Sequence, residues 1–204
     1  MSDPHPQRVG ILCVVSGPSG SGKTTLCRRM AAESNLCSYS VSCTTRPPRE
    51  GEKDGDDYYF LSKEAFEAKI AEGELLEWAE VHGRYYGTLK LPVLESLSRG
   101  QDVMMDLDVQ GAEQLRSNVD DVLRRSLVDI FILPRTLEEL AARITARAPM
   151  SESELQLRLH NAGEEMKHWR KYQYAIITGD REEDFGNFCA ILEGERHRAS
   201  RLLL

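Results

Sequence analysis

Among its 204 residues the chain has no apolar run approaching the ~20 residues that span a bilayer, so no transmembrane helix is predicted. The polar opening Met1–Arg8 lacks an apolar core segment and does not read as a secretory signal. There is no cysteine framework. Cys13, Cys27, Cys37, Cys43 and Cys189 are odd in number and lack C-x-x-C spacing, which predicts free, mostly structural thiols in a reducing cytoplasm. The histidines, at 5, 82, 160, 168 and 197, form no metal-ligand pattern. Positive charge is in deficit: 26 Lys and Arg against 33 Asp and Glu leave a net charge of −7, which argues against a general nucleic-acid binder. Any phosphate ligand must be gripped by local cationic clusters. No internal repeat or low-complexity tract is present, and the length suits one domain with a real core.

What the chain does have is Gly17-Pro18-Ser19-Gly20-Ser21-Gly22-Lys23-Thr24, which fits G-x-x-x-x-G-K-[ST]. The apolar run Ile11–Val15 precedes it and the helix-competent run Thr25–Ala32 follows. That strand–loop–helix setting gives the pattern physical meaning. Glycines permit a sharp turn that aims successive N–H groups inward, and the helix start adds the positive end of its dipole. The spacing predicts a nucleoside triphosphate cradled by residues 17–25, Thr25 included. Lys23 would reach the outer phosphates and the Thr24 hydroxyl would ligate Mg²⁺.

Short apolar runs at Ile11–Val15, Val103–Leu107, Asp129–Leu133 and Tyr174–Thr178 alternate with helical patterns, which predicts an α/β fold with a mostly parallel sheet flanked by helices. Thr136 with Glu139 and Ser151 with Glu154 form capping boxes at helix starts. Leu155, Leu159, Ala162 and Met166 predict a one-sided helix within Ser151–Lys171. Two regions break the alternation. Residues 41–90 hold β-like pieces (Tyr39–Cys43, Tyr58–Leu61, Leu75–Val81) and a turn cluster over Arg46–Gly55, while Arg143–Leu159 is dense in Arg and Glu. In a P-loop kinase these would be an acceptor-binding lobe and a lid. The predicted layout is one domain over 1–204, with core 1–40, 91–140 and 164–204, lobe 41–90 and lid about 141–163. The end Arg196–Leu204 reads as a fraying helix tail.

Two acids, Asp106 and Asp108, close the apolar run Val103-Met104-Met105, at the strand end where open parallel sheets bind ligands. Alternation places both on one face. Arg46 and Arg49 bracket Pro47-Pro48, which fixes the backbone direction between two guanidinium forks. Aimed at one point they make a phosphate clamp; otherwise they are a solvated basic turn. Six ordered blocks decide between these. They are Gly17–Thr24, Ser42–Glu52, Tyr58-Tyr59-Phe60, Leu76-Glu77-Trp78-Ala79, Gly83-Arg84-Tyr85-Tyr86-Gly87-Thr88 and Asp106-Leu107-Asp108-Val109-Gln110-Gly111. On these blocks the chain resembles the guanylate kinase family over nearly its whole length.

The resemblance implies a P-loop kinase fold with an inserted mixed α/β GMP-binding lobe and a helical lid. It implies transfer of phosphate from ATP to GMP, with dGMP as a second acceptor, in cytoplasmic purine metabolism, with no nucleic-acid or membrane partner. The number of chains in the assembly stays open, a homo-oligomer included. By resemblance, Arg46, Arg49, Tyr58 and Tyr86 hold the GMP monophosphate, and Ser42, Glu77, Thr88 and Asp108 surround the guanine. Arg143, Arg147 and Arg158 close with Lys23, Arg46 and Arg49 on the moving phosphoryl group. Asp106 supports Mg²⁺ through water beside Thr24. The chemistry is consistent: guanine offers N1–H and an N2 amine to carboxylates, whereas adenine would face them with a lone pair. Each buried group left unpaired costs about 1–3 kcal/mol, so two or three such losses reject AMP roughly 10³-fold.

Two stretches depart from the family pattern. Ala148-Pro149 stands where a glycine follows the lid arginines, and Thr178-Gly179 stands where the strand commonly ends in Asn-Asp, which leaves the donor base preference open. Rival readings are an interaction module without catalysis, against which the intact Lys23 and Thr24 argue, and a sugar-phosphate kinase, which would not need Glu77, Thr88 and Asp108 together.

Overall fold

The computed structural model describes residues 7–81, 83–117, 121–147 and 150–203. In chain order the elements are β1 (Gln7–Arg8), β2 (Leu12–Ser16), α1 (Lys23–Glu33), β3 (Cys37–Tyr39), β4 (Cys43–Thr44), β5 (Tyr59–Phe60), α2 (Lys63–Ala71), β6 (Leu75–Val81), β7 (Arg84–Leu89) and α3 (Lys90–Ser98). They continue as β8 (Asp102–Asp106), α4 (Val109–Ser117), α5 (Asp121–Ser126), β9 (Leu127–Leu133), α6 (Leu137–Arg147), α7 (Glu152–Met166), β10 (Tyr174–Ile177), α8 (Arg181–Arg196) and β11 (Leu202–Leu203).

The apolar runs become a five-stranded, wholly parallel sheet in the order β10-β9-β2-β8-β3. Its central strands are mostly apolar because both faces are covered, and the buried acids within them are paired, Asp102 with Arg8 and Arg196 and Asp129 with Arg116. Leu12 and Val14 of β2, Val103 and Met105 of β8 and Phe131 of β9 share one core with Leu97 of α3 and Ala112 of α4. Cys13, Val15 and Met104 enter the other, with Cys27 and Met30 of α1 and Phe185, Phe188 and Leu192 of α8. The five thiols are free. A second, mixed sheet, β5-β4-β7-β6, draws all its strands from residues 43–89 and has its own small core around Cys43, Phe66 and Leu75. The β-like run Tyr39–Cys43 is therefore divided: Tyr39 closes the edge strand of the main sheet, and Cys43 opens the second.

Both predicted caps form by their hydroxyl half, Thr136 Oγ1 accepting from Glu139 N at 3.1 Å and Ser151 Oγ from Glu154 N at 3.3 Å, while the Glu139 and Glu154 carboxylates bond Arg143 and Arg158. The helix expected through Lys171 ends at Met166, and Trp169–Lys171 is a separate 3₁₀ turn. The change of direction carries Tyr172 into the core, its ring centroid 5.1 Å from that of Phe131.

The expectation of a fraying C-terminal tail is wrong. After α8 the chain makes a 3₁₀ turn at Ala199–Arg201, and β11 pairs antiparallel with β1. The anchor is Arg201, whose side chain is 1% exposed. Its guanidinium bonds Glu195 Oε2 at 2.6 Å, the Glu195 carbonyl at 3.0 Å and the carbonyl of Arg125. A buried cation persists only with such partners. Asp102, wholly buried, ties the same end of the sheet through Arg8 at 2.7 Å, Arg196 at 2.8 Å and the Ile11 N–H at 2.9 Å.

Candidate active site

The loop between β2 and α1 turns on glycines at positive φ, Gly20 at 87° and Gly22 at 100°. Gly20 also meets α6 closely: a Cβ there would stand 2.9 Å from Ile144 Cγ1. Gly22 has no side chain to cap α1, so the first-turn N–H groups are left for an anion. Ser21 Oγ is buried with no hydrogen-bond partner among the described residues. Lys23 Nζ folds back over the loop, donating to the carbonyls of Gly17 at 2.5 Å and Pro18 at 3.1 Å. Burial lowers its pKa, against the pull of Glu165 and Asp106.

Thr24, one residue along, donates from Oγ1 to Asp106 Oδ2 at 2.6 Å, while Tyr39 OH donates to Asp106 Oδ1 at 2.5 Å. A hydroxyl and a carboxylate thus meet at the mouth of the loop. Such hard oxygens suit Mg²⁺, which usually takes one or two protein ligands and completes its shell with water and phosphate. Burial, reinforced by the Asp106 charge and hydrogen bond, pushes the Tyr39 phenol well above its ordinary value, so it stays a donor.

Beside this pair opens a cleft of about 450 Å³ lined by Ser42, Arg46, Arg49, Tyr58, Tyr86 and Asp106, among others. The structure therefore brings together the residues assigned to a monophosphate. Arg46 lies 5.4 Å from the Tyr58 ring centroid, and the Tyr58 and Tyr86 rings meet edge-on with centroids 6.1 Å apart. Glu52 also lines the cleft and grips Arg46 with both oxygens at 2.8 and 2.9 Å, while its Oε2 accepts from Arg49 N at 2.7 Å.

Glu77, which is not among the residues lining that cleft, is 6% exposed and pairs in register with Thr88 across β6 and β7. Thr88 Oγ1 donates to Glu77 Oε1 at 2.8 Å. Oε2 faces α4, where a Cβ on Gly111 would stand 3.0 Å from it and 3.5 Å from Asp108 Oδ1. Two carboxylates therefore converge on one glycine. The Glu77 carboxyl is pushed up to about 7 by burial, with the Asp108 charge adding to the rise and the Thr88 bond opposing it. Gln114 of α4 holds β6 at this distance through both the N–H and C=O of Trp78, at 3.1 and 2.8 Å. The strand β8 ends at Asp106, so Asp108 lies beyond it and does not share a strand face with Asp106. Its Oδ1 accepts from Gly111 N at 2.8 Å, in the manner of a helix cap for α4.

A family model described as guanylate kinase matches residues 10–194. The chain is 44% identical to a guanylate kinase of Agrobacterium fabrum over 95% of its own length and 86% of that relative. It is 44% identical to one of Sphingopyxis alaskensis over 97% and 88%. The crystal structure of guanylate kinase from Anaplasma phagocytophilum superposes with a TM-score of 0.79, at 32% identity, over 98% of this chain and 93% of that one. The chain belongs to the guanylate kinase family.

Of the residues a guanylate kinase lid is expected to supply, the structure brings neither Arg143 nor Arg158 to the phosphate loop. Arg143 bonds Glu139 at 2.6 Å and Arg158 bonds Glu154 at 2.7 Å, each one turn back on its own helix. The Arg147 side chain and the Ala148-Pro149 junction lie outside the described residues. The two helices pack through Leu140, Ile144 and Ala162. Sequence reasoning missed Tyr39, Glu52 and Glu165. Glu165 stands one turn beyond Ala162 on α7; burial raises its carboxyl pKa while the charge of Lys23 lowers it. The apolar stripe that marks the inner face of α7 could have flagged it.

Proposed function

We propose that this guanylate kinase transfers the γ-phosphoryl group of ATP to GMP, and to dGMP, as a cytoplasmic enzyme of purine metabolism. The observation that carries the acceptor assignment is the buried Glu77–Thr88 pair facing Asp108 across Gly111. One hydroxyl donor and two carboxylates form the complement of guanine's acceptor O6 and its N1–H and N2 donors. In this reading residues 41–90 are the acceptor lobe, about 141–163 the lid, and 1–40, 91–140 and 164–204 the core. Ser42 completes the base site, and Arg46, Arg49, Tyr58 and Tyr86 hold the monophosphate.

The GMP phosphate has a second pKa near 6, taking phosphate esters as guide, so it attacks as a dianion without a protein base. One of its oxygens bonds to the γ-phosphorus as the bond to the bridging oxygen breaks, and ADP leaves with that electron pair. The chain's contribution is alignment and charge. Lys23 exchanges the Gly17 and Pro18 carbonyls for phosphate oxygens beside the loop amides, and Arg46 and Arg49 fix the acceptor in line. Thr24 and, through water, Asp106 would hold Mg²⁺, which when bound neutralises charge on the donor phosphates. Arg143, Arg147 and Arg158 would close on the transferring group and exclude water. A coupled assay with GMP, AMP, UMP and a sugar phosphate tests the reading. Turnover confined to the guanine nucleotides is expected, and comparable rates with AMP or UMP would overturn it.

A further inference from the structure

The sheet order fixes where the donor's base goes. The phosphate loop follows β2, the central strand, with β8 and β3 on one side and β9 and β10 on the other. The acceptor cleft occupies the first side, lined by Asp106 from the end of β8 and Tyr39 from the end of β3. In-line transfer sets the attacking and leaving oxygens on opposite sides of the phosphorus. The leaving half of the donor, and the base beyond it, therefore extend over the carboxyl ends of β9 and β10. Gly17 abuts the Ile132 carbonyl of β9, which seats the loop directly beside those ends.

Three features stand together there. The Arg135 guanidinium lies over Gly179: a Cβ on residue 179 would stand 3.1 Å from its Cζ and closer still to Nη2. Only a hydrogen fits beneath it. The Gly179 N–H is held from below by both oxygens of Asp184, at 2.9 and 3.1 Å. Next to it Thr178 is 1% exposed, and its Oγ1 has no hydrogen-bond partner among the described residues.

We propose that Arg135, seated on Gly179, is the platform and selectivity element for the donor nucleotide's purine, and that it admits guanine as well as adenine. The inference rests on the phosphotransferase reading above. A planar guanidinium stacks on aromatic rings, and its N–H groups only donate. Purine edges present N7 in both bases and O6 in guanine as acceptors. Rejecting guanine would take a fixed acceptor turned toward position 6. Gly179 supplies no side chain, and the Thr178 hydroxyl, though buried, is not committed to either role, since a hydroxyl donates and accepts alike.

The test is calorimetric titration of GMP-saturated protein with the non-hydrolysable imido analogues of ATP and GTP, beside turnover of GMP with ATP and GTP. The proteins are the natural chain, Arg135→Ala and Gly179→Asp. The natural chain should use the two donors within roughly tenfold of each other. Arg135→Ala should weaken both analogues roughly tenfold and leave KM for GMP unchanged. In Gly179→Asp the new side chain displaces the flexible end of Arg135 and adds an acceptor that repels O6, so ATP should be favoured more than tenfold. Should that variant fail to fold, Arg135→Ala, checked by its melting temperature, decides alone. Donor affinity indifferent to Arg135, or a natural preference for ATP above tenfold, overturns the inference. Absence of turnover with either donor would remove the phosphotransferase reading itself.

Discussion

Thr24 Oγ1 and Asp106 Oδ2 stand 2.6 Å apart although 82 positions separate them in the chain. The closeness follows from β2 and β8 being hydrogen-bonded neighbours whose carboxyl ends are level: Val15 pairs with Asp106 in the parallel register. A carboxylate thereby reaches the mouth of the loop without lying near it in sequence.

Asp106→Asn keeps the volume and the acceptor for Thr24 but removes the charge. Turnover should fall about 10²-fold, and the Mg²⁺ concentration for half-maximal rate should rise, with GMP affinity unchanged. Initial rates over a Mg²⁺ titration read this directly. An unaltered Mg²⁺ dependence would remove Asp106 from the metal site.

The Glu77 carboxyl links the proposed base pocket to pH. Its pKa rises from an ordinary 4.5 to about 7 in the folded protein, so the native state holds the proton more tightly than the unfolded chain. The stability it contributes is complete below the unfolded value and is lost as pH rises through about 7. The ligand-free protein should therefore lose melting temperature between pH 5 and pH 8, and Glu77→Gln, neutral throughout, should flatten that slope. The same variant should bind GMP at least tenfold more weakly at pH 8, because an ionised acceptor is gone. Parallel slopes for the two proteins would contradict the assignment.

How much of this was legible beforehand depended on how local each role is. The phosphate loop is one continuous segment, so its spacing alone predicted the turn, the helix start and Lys23. The four predicted core strands formed within two residues of their expected places, because strands covered on both faces carry short continuous apolar runs. Tyr39 was invisible as a partner of Asp106, since that role exists only once β3 pairs beside β8. Glu52 had no role assigned from sequence, because its grip on Arg46 depends on how residues 46–52 curl. The tail failed for a different reason. A buried arginine leaves no periodic trace, and Arg201 sits in a polar stretch that composition alone marks as loose.

That anchor makes a sharp prediction. Burial pushes the Glu195 carboxyl up, but the bonds from Arg201 and Tyr174 outweigh it and hold it below the ordinary range. Arg201→Ala takes the nearest cation from a buried carboxylate, leaving it Arg198 at 3.4 Å and the Tyr174 hydroxyl at 2.6 Å, and should cost about 3 kcal/mol, or roughly 10 °C in Tm for a chain of this size. Because Arg201 lies with Val9 at the amino ends of the strands, opposite the phosphate loop, kcat at low temperature should be unchanged. Pairing it with Glu195→Gln should restore part of the loss. A scan of melting temperatures for the single and double variants settles the point.

The arginines proposed for the lid separate stability from catalysis most cleanly. The Arg143–Glu139 and Arg158–Glu154 pairs are solvent-facing contacts along single helices, worth about 0.3–0.5 kcal/mol each. Swinging either guanidinium off its helix is therefore inexpensive, and a phosphoryl group bearing several charges offers far more. Arg143→Ala and Arg158→Ala should each leave the melting temperature within about 2 °C of the parent, since so little is lost. Each should also lower kcat about 10²-fold or more, as loss of an arginine from a phosphoryl-transfer site does, with KM for GMP little altered. Glu139→Gln and Glu154→Gln supply the control: they free the same arginines without removing them, so turnover should persist. If the alanine variants turn over at the parent rate, these arginines are surface ion pairs only, and the charge on the moving phosphoryl group is carried by Lys23, Arg46 and Arg49.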